Sequence, residues 1–586
     1  NYGSNIQIWT GATNPLGSGV VYMKNNTKAL TFNAGNDLTI PAAITGGGYV
    51  LKQNSNAVTL TGNNTFSGGT TVNQGVLQIG GGGSLRGSVT NSGGALTVVS
   101  GGSLYATNLT VGFNSLNSFA TAVAGATVNV GSGPANSLLV GYRTVSTTGV
   151  SAFGQMDVSS LSSFTANVGN LLVGVNANAG GTGASAANGQ LLLATNNTIA
   201  ATNFLVGSSP GSPSGSSNVV VLGSGNKGIT TPILIVGGPK ESGTLNLHPG
   251  GSLTLNNGAG RTDLPVGGEN VSTSVTPPAS MVNLSAGSFI ASLNTLTIGL
   301  KSGGSSGGDS GALVLGNSVV NNVNVNTLLI GSLSGAASGS PVAQGTLTFG
   351  GGNFLVNSNV TLGSFSGSFG SATGTLNVNG GTFAVAGNII SGGGISTVNV
   401  SGGALVLSNQ AGTPGLPLTL LNFTNAALHL NVNGNAATTN IVAATVNADG
   451  TTMITIDSVT NISSSSTVPL ISYGGTDPFS HFTLAPLPAG YTGNLVDNSA
   501  AHRIDLNIGP SLPPPVPTIQ PSVLNLTNFT MQVVSQTGYN YVLEASPSLA
   551  PTVWMDVKTN PGGGTLVFTV PISVTNLQQF FRIRVQ

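Results

Sequence analysis

"QGTLTFGGGNFLVNSNVTLG", from Gln344 to Gly363, holds one complete structural unit. Leu347 and Phe349 alternate with polar residues, then Phe354 and Val356, then Val360 and Leu362. Alternation at period two marks strands with one buried face. The glycines and asparagines between the three pairs are residues suited to tight corners.

The last of these strands recurs along the chain. It reads Leu109-Thr-Val-Gly112, Leu138-Leu-Val-Gly141, Leu171-Leu-Val-Gly174, Phe204-Leu-Val-Gly207 and Leu234-Ile-Val-Gly237. It continues as Leu264-Pro-Val-Gly267, Leu296-Thr-Ile-Gly299, Leu328-Leu-Ile-Gly331 and Val360-Thr-Leu-Gly363. The closing glycines recur at a nearly constant interval, within the range of stacked repeat architectures. Three short strands per fixed period predict an all-β, parallel β-helix whose rungs stack about 4.8 Å apart. Some fifteen rungs at that spacing make a rod roughly 70 Å long. No rung can bury its apolar face alone, so stability comes from stacking. An array of sandwiches is the rival fold, but antiparallel sandwiches rarely repeat one strand sequence at such intervals.

Composition narrows the function classes. Charged residues are 4% of 586, against roughly 25% in ordinary soluble domains, and 13 basic residues cancel 13 acidic ones. No cluster of Lys and Arg exists to hold a nucleic acid or an anionic membrane. Gly is abundant, at 89 residues, but the alternating apolar runs and zero net charge argue for a folded chain and against disorder. Cys is absent, which excludes disulfides and thiolate metal sites. No apolar run reaches the roughly 20 residues of a membrane helix. A start at Asn1 without Met suits a product of signal-peptide removal.

From Leu60 to Gly80 the chain reads "LTGNNTFSGGTTVNQGVLQIG". Its elements Leu60-Thr-Gly62, Asn64-Thr-Phe66, Gly68-Gly69-Thr70-Thr71-Val72, Gly75 and Leu77-Gln78-Ile79-Gly80 resemble the autotransporter-associated β-strand repeat. The resemblance implies a right-handed β-helix of a secreted or surface-exposed bacterial protein, and no particular activity. Autotransporters end in a membrane barrel of several hundred residues. Here the Pro-rich "GPSLPPPVPTIQP" of Gly509 to Pro521 intervenes, and a short segment from Ser522 to Gln586 follows. That segment resembles the small β-sandwich that closes many secreted bacterial proteins, with Tyr541 to Ala545, Trp554 and Phe581 to Arg584 as landmarks. The expected organisation is a β-helix over 1–508, with an N-terminal strand or cap region at 1–35 and a closing region at 470–508. A stiff linker at 509–521 and a β-sandwich at 522–586 follow.

β-Helical polysaccharide lyases and hydrolases cluster ionisable residues on successive rungs. Here Asp157, Lys227, Asp263, Lys301 and Asp309 fall singly, at corners or in loops, and Lys240-Glu241 reads as a solvated pair. Residues 473–505 are denser, with Tyr473, Asp477, His481, Tyr491, Asp497, His502, Arg503 and Asp505. Asp477 and His481 are an acid–base or metal candidate; the plainer reading is that this stretch closes the helix. His248 and His429 read as isolated histidines. A calcium-binding β-roll needs a repeated Asp, and "GGDSG" at Asp309 occurs once. No catalytic residue, metal site or cofactor is expected.

Two outward rows carry more information. The middle residue of each closing strand points out, placing Leu139, Leu172, Leu205 and Ile235, with Leu329 further along, in an apolar stripe. Either the stripe is an interaction site or the Gly/Ser-rich loop after each strand covers it. Asn129, Asn246, Asn283, Asn377 and Asn399 form a second row whose amides could stack between rungs. Ile6, Ile8 and Trp9 in "NIQIWTG" offer a short segment that could join a neighbour, and Trp554 marks the C-terminal module. The chain therefore reads as a non-enzymatic extracellular structural protein whose partner is itself, assembling head to tail into a filament or surface layer. An adhesin or binder of surface glycans is second, and a polysaccharide lyase or hydrolase third.

Overall fold

The structure is a computed structural model that describes residues 5–9, 12–145, 149–178, 186–209, 217–269, 278–303, 307–318, 320–335, 339–435, 438–511, 515–550, 553–572 and 578–586. The chain folds as a right-handed parallel β-helix and a C-terminal β-sandwich. It divides into two compact units: Asn1–Asn461 with Thr467–Pro488 and Asn494–Asn507, and Ile462–Ser466 with Ala489–Gly493 and Ile508–Gln586.

Each rung of the helical unit has three walls. Wall A is a 16-stranded parallel sheet that includes Ala95–Val98 and Ser371–Val378. Walls B and C are one 24-stranded sheet folded over a corner, where the register shifts between Ala106 and Leu109. The recurrent closing strand forms wall C. Its first residue stacks in register from rung to rung, Leu109 beside Leu138, Leu138 beside Leu171 and Leu171 beside Phe204, all fully buried. The column begins at Ile6, beside Leu30, and ends through Ile389, Ala411, Ile441 and Ile471. That makes about 18 rungs and roughly 80 Å, longer than the fifteen expected. Ile6–Ile8 is itself a rung, paired in parallel with Ala29–Phe32. Thr10 and Gly11 of the same segment lie outside the described residues.

The closing glycine has a second use that the spacing alone does not reveal. All nine, from Gly112 to Gly363, have positive φ. At Gly141, Gly299 and Gly331 an added Cβ would come within 3.0 Å of the wall A carbonyls of Asn188, Gln344 and Thr373. Wall A answers with its own glycines at this level, including Gly189, Gly311, Gly345 and Gly374, whose Cβ positions would overlap wall C backbone in turn. At these rungs two backbones touch, and neither glycine has room for a side chain. Where wall A places a side chain at this level it bonds to the adjoining wall A strand: Gly189 N–H donates to Asn218 Oδ1 (2.8 Å) and Gly243 N–H to Ser280 Oγ (3.3 Å).

This pinch explains the long period of the middle rungs. Near the N-terminus Val50 lies beside Thr70, Thr70 beside Val89 and Val89 beside Leu109, so successive turns there are short. In the middle, one turn runs from Leu138 to Leu171 and another from Leu296 to Leu328, each more than half as long again. The extra residues carry both sheets past the pinch into a second compartment. On one side Lys301, Leu333 and Phe365 follow each other in register; on the other, Asp309, Ala343 and Ala372. Leu333, Ala343 and Ala372 form a small core there, with Phe365 against it.

Several ionisable residues expected at corners, in loops or in a solvated pair are in the interior. Lys301 and Asp309 are buried on strands of the second compartment, and Glu241 is only 1% exposed. Glu241 accepts a hydrogen bond from Asn218 Nδ2 at 3.1 Å, so it is not half of a solvated pair. Lys227 sits on a strand, between Asn197 and Leu253 in an inward column, and is 1% exposed. Arg143 is buried as well, donating from Nε to Val150 O (2.6 Å) and from Nη1 to Asn176 Oδ1 (3.1 Å). Pairing with backbone and amide groups makes such burial tolerable.

The second unit carries two antiparallel sheets. Asn528–Ser535 pairs with Gly564–Pro571, and Asn540–Ser546 lies between Met555–Pro561 and Phe580–Val585. Met531, Val533 and Phe568 of one sheet pack against Tyr541 and Leu543 of the other. Thr518–Ile519, read as part of the linker, pairs with Val533 and Val534. Residues 512–514 of that linker lie outside the described residues.

Positive φ and backbone overlap act together at the pinch, which separates two glycine substitutions. Gly331→Ala should destabilise the helix by about 3 kcal/mol or more. Gly250→Ala, also at positive φ (78°) but with open space around it, should cost about 1 kcal/mol. Thermal and urea unfolding followed by circular dichroism measure both, and equal losses would contradict the close approach.

Candidate functional site

The middle residues of the closing strands do form a continuous row. Thr110 faces Leu139, Leu139 faces Leu172, Leu172 faces Leu205 and Leu205 faces Ile235. Pro265, Thr297, Leu329 and Thr361 continue it in register. Leu139, Leu172, Leu205, Ile235 and Leu329 are each half-buried between their neighbours. Most of the loop after Leu205, residues 210–216, lies outside the described residues. At the N-terminus Ile8 is packed inside, Ile6 is half-buried and Trp9 is 60% exposed.

The asparagine row divides. Asn129 belongs to wall B, beside Tyr105 and Thr165, so it is not part of the same column. Asn246 and Asn283 are register neighbours on wall A, but Asn283 Oδ1 turns to the backbone and hydroxyl of Ser285. Asn377 and Asn399 stack as expected, and the column extends to Asn422 and Asn447. Each Nδ2 donates to the oxygen of the preceding rung: Asn377 to Thr348 Oγ1 (3.2 Å), Asn399 to Asn377 (2.7 Å), Asn422 to Asn399 (2.6 Å) and Asn447 to Asn422 (2.9 Å).

A further ladder escaped the sequence reading, although Asn stands just before the closing strand in several rungs. Asn357 donates to Asn326, Asn326 to Asn294, and Asn294 to Asp263 Oδ1, at 3.0, 3.2 and 3.0 Å. Asp263 also accepts the N–H of Thr295 at 3.0 Å. Its carboxylate terminates a structural ladder.

The densest ionisable region does not assemble an acid–base pair. Asp477 Oδ1 accepts the N–H of Phe479 (2.9 Å), while His481 Nδ1 meets Gly450 O (3.0 Å). Buried Asp505 accepts from Asn498 Nδ2 (2.7 Å) and Arg503 Nη2 (3.1 Å). Tyr473 packs edge-on to His502, and burial, with the nearby Asp477 carboxylate, pushes its phenol up to about 12. His429 is not isolated: its Nδ1 pairs with Asp457 Oδ1 at 2.9 Å on the surface. His248 Nδ1 lies 3.2 Å from Pro249 O. Among the described residues no three His, Cys, Asp or Glu side chains converge as metal ligands.

Charge is organised instead around single buried groups. Lys52 is buried in an inward column between Phe32 and Val72. Its ammonium donates to the carbonyls of Gln53, Asn54 and Gln74 at 2.8, 2.6 and 3.1 Å. Burial lowers it to about 8, and burial lowers Lys227 to about 8 as well. In the sandwich, Glu544 is buried between Arg582 Nε (2.6 Å) and Arg584 Nε (2.7 Å). Burial alone would raise its carboxyl, but the hydrogen bonds from Arg584 and Arg582 hold it below the usual carboxylate range. The Arg582 guanidinium lies 4.4 Å over the Trp554 ring, so one face of that indole is already covered.

The fold is that of a stacked-rung β-helix built from short parallel repeats. Residues 50–79 match the model of the passenger-associated-transport-repeat family, in agreement with the resemblance of Leu60 to Gly80. No curated protein and no solved structure matches the chain. Among the described residues no helix is long and apolar enough to cross a membrane.

The buried lysines set a pH dependence whose sign is fixed. Their folded pKa values lie below the unfolded value of 10.5, so stability they withhold at neutral pH returns as pH rises from about 8 towards 10.5. Tyr473 works in the opposite direction above pH 10, which confines the test to the window from pH 8 to 10. The melting temperature should rise by a few degrees across that window. The double variant Lys52→Met/Lys227→Met should flatten the rise.

Proposed function

We propose that this chain is a non-enzymatic extracellular structural protein that assembles with copies of itself into a filament or surface layer. The reading rests chiefly on how little charge reaches its surface. Of 13 basic and 13 acidic residues, Lys52, Arg143, Lys227, Glu241, Lys301, Asp309, Asp505 and Glu544 are buried. Proteins stay apart in solution partly through net charge, and this one carries neither net charge nor many surface charges. Apolar surface is available too. The half-buried stripe of Leu139, Leu172, Leu205 and Ile235 repeats at the rung spacing, and the second unit exposes Leu524 at 69% and Leu526 at 95%. The passenger-type repeat at residues 50–79 supports a secreted or surface location.

Attachment to surface glycans is the second reading, favoured by the Thr348-to-Asn447 ladder. A polysaccharide-cleaving role would need a pair such as Asp477 and His481 to converge, and each is bonded to backbone elsewhere.

Negative-stain microscopy and light scattering of the purified protein over a hundredfold concentration range test assembly. Fibres or sheets should grow with concentration, and Leu524→Lys/Leu526→Lys should suppress them without lowering the melting temperature. Discrete monomers at every concentration would refute the proposal.

A further inference from the structure

We infer that the C-terminal half of wall A is a binding face for a neutral, extended polysaccharide. The inference rests on and deepens the glycan-attachment reading, naming the face and the charge class of the polymer; it is independent of self-assembly and concerns a different surface from the apolar stripe.

The ladder leaves hydrogen-bonding capacity free in a regular pattern. Asn377, Asn399 and Asn422 each commit one amide N–H to the rung before and one oxygen lone pair to the rung after. An amide has two N–H groups and two lone pairs, so each retains one of both. The ladder fixes their orientation, and the same donor–acceptor pair therefore repeats at every rung, about 4.8 Å apart. Adjacent sugar hydroxyls, each able to donate and accept, complement such a pair. Because the amides are already held, binding costs little rotamer freedom.

A parallel hydroxyl column runs beside the amides. Thr346, Thr375 and Thr397 are register neighbours on the same face, two residues along each strand and thus about 6.6 Å away. All three are half-buried, as sheet-face residues are, while Asn447 at the end of the ladder is exposed. From Thr346 to Asn422 these two columns contain no charged side chain. An anionic glycan would find no counter-charge, whereas a neutral chain leaves no ion unpaired. Individual contacts of this kind are weak, but a polymer meeting several rungs at once gains by effective concentration. The other candidate occupant, a second copy of this chain, is an outcome of the same experiment.

The test is co-sedimentation of the whole protein with microcrystalline cellulose, chitin and insoluble β-1,3-glucan, with cross-linked alginate as the anionic control. At least one neutral polymer should retain the protein, alginate should not, and soluble fragments of the retaining polymer should compete. Thr375→Lys/Thr397→Lys should lower retention at least tenfold with unchanged melting, and Asn399→Ala should lower it by loosening the ladder. Thr297→Lys, on wall C, should leave it unchanged. Retention by none of the neutral polymers, or equal retention of Thr375→Lys/Thr397→Lys and the wild type, would overturn the inference. So would a change in the self-association of that variant without a change in glycan retention. Microscopy of the same samples reads assembly independently, so either proposal can fail alone.

Discussion

The helical unit depends on a contact that only glycine permits. At the end of wall C the backbone must pass directly against wall A, in a left-handed conformation, so two separate constraints fall on one residue. Backbone strain alone would tolerate Asn, as at Asn114 and Asn425 elsewhere in the chain. The overlap with carbonyls such as Thr373 O removes that option. A column of closing glycines, faced by wall A glycines at most rungs and by Asn218 and Ser280 at two, therefore runs along the helical unit like a seam. On one side lies the three-walled core; on the other, a compartment that exists only in rungs long enough to reach it.

The seam divides the interior by chemistry. The main core is mainly aliphatic and aromatic, with residues such as Leu138, Leu171 and Phe204 in register and Lys52 and Lys227 as isolated buried charges. The compartment beyond the seam takes polar and charged residues over part of its length, including Arg143, Asn176, Ser209 and Glu241, and becomes apolar near Leu333 and Phe365. In-register stacking of identical side chains would bring like charges about 4.8 Å apart, so charges cannot repeat from rung to rung. Amides and hydroxyls can repeat, because each is donor and acceptor at once. This is a physical reason for a chain so rich in Asn, Ser and Thr and so poor in Lys and Glu.

Stacking of like on like also decides where the sequence was legible. Period-two alternation and the recurring Leu-x-Val-Gly strand were enough for the three walls and their parallel stacking, because both depend on side chains meeting their own equivalents. Leu60, Val72, Leu77 and Ile79, the apolar residues of the family-like repeat, follow the same rule, and each is fully buried. Lys227, Lys301, Asp309 and Glu241 were misplaced because charge is ordinarily a surface signal. Here the determinant was register: Lys227 occupies a column otherwise held by residues such as Phe164, Leu253 and Phe289. The excess length of the middle rungs was visible in the spacing, but its cause required seeing two backbones meet. The corner ladder ending at Asp263 was hidden because its asparagines occupy slightly different positions in each repeat.

The same constraint bears on function. A stacked solenoid can change its outward residues freely, since they touch only the rung above and below, while its inward columns are held by packing. Outward columns are therefore where this fold can vary its surface chemistry most freely. The N-terminal rungs, where residues 50–79 match a passenger repeat, are short, as are later rungs such as the one from Ile389 to Ala411. The middle rungs add the second compartment, and in the later rungs the outward wall A column that holds Asn246, Asn283 and Val314 continues as the hydrogen-bonded Thr348–Asn447 ladder. Outward chemistry thus varies along the axis while the inner columns stay mainly apolar, interrupted by single buried polar groups such as Lys52 and Lys227, so this fold varies its surfaces more readily than its interior.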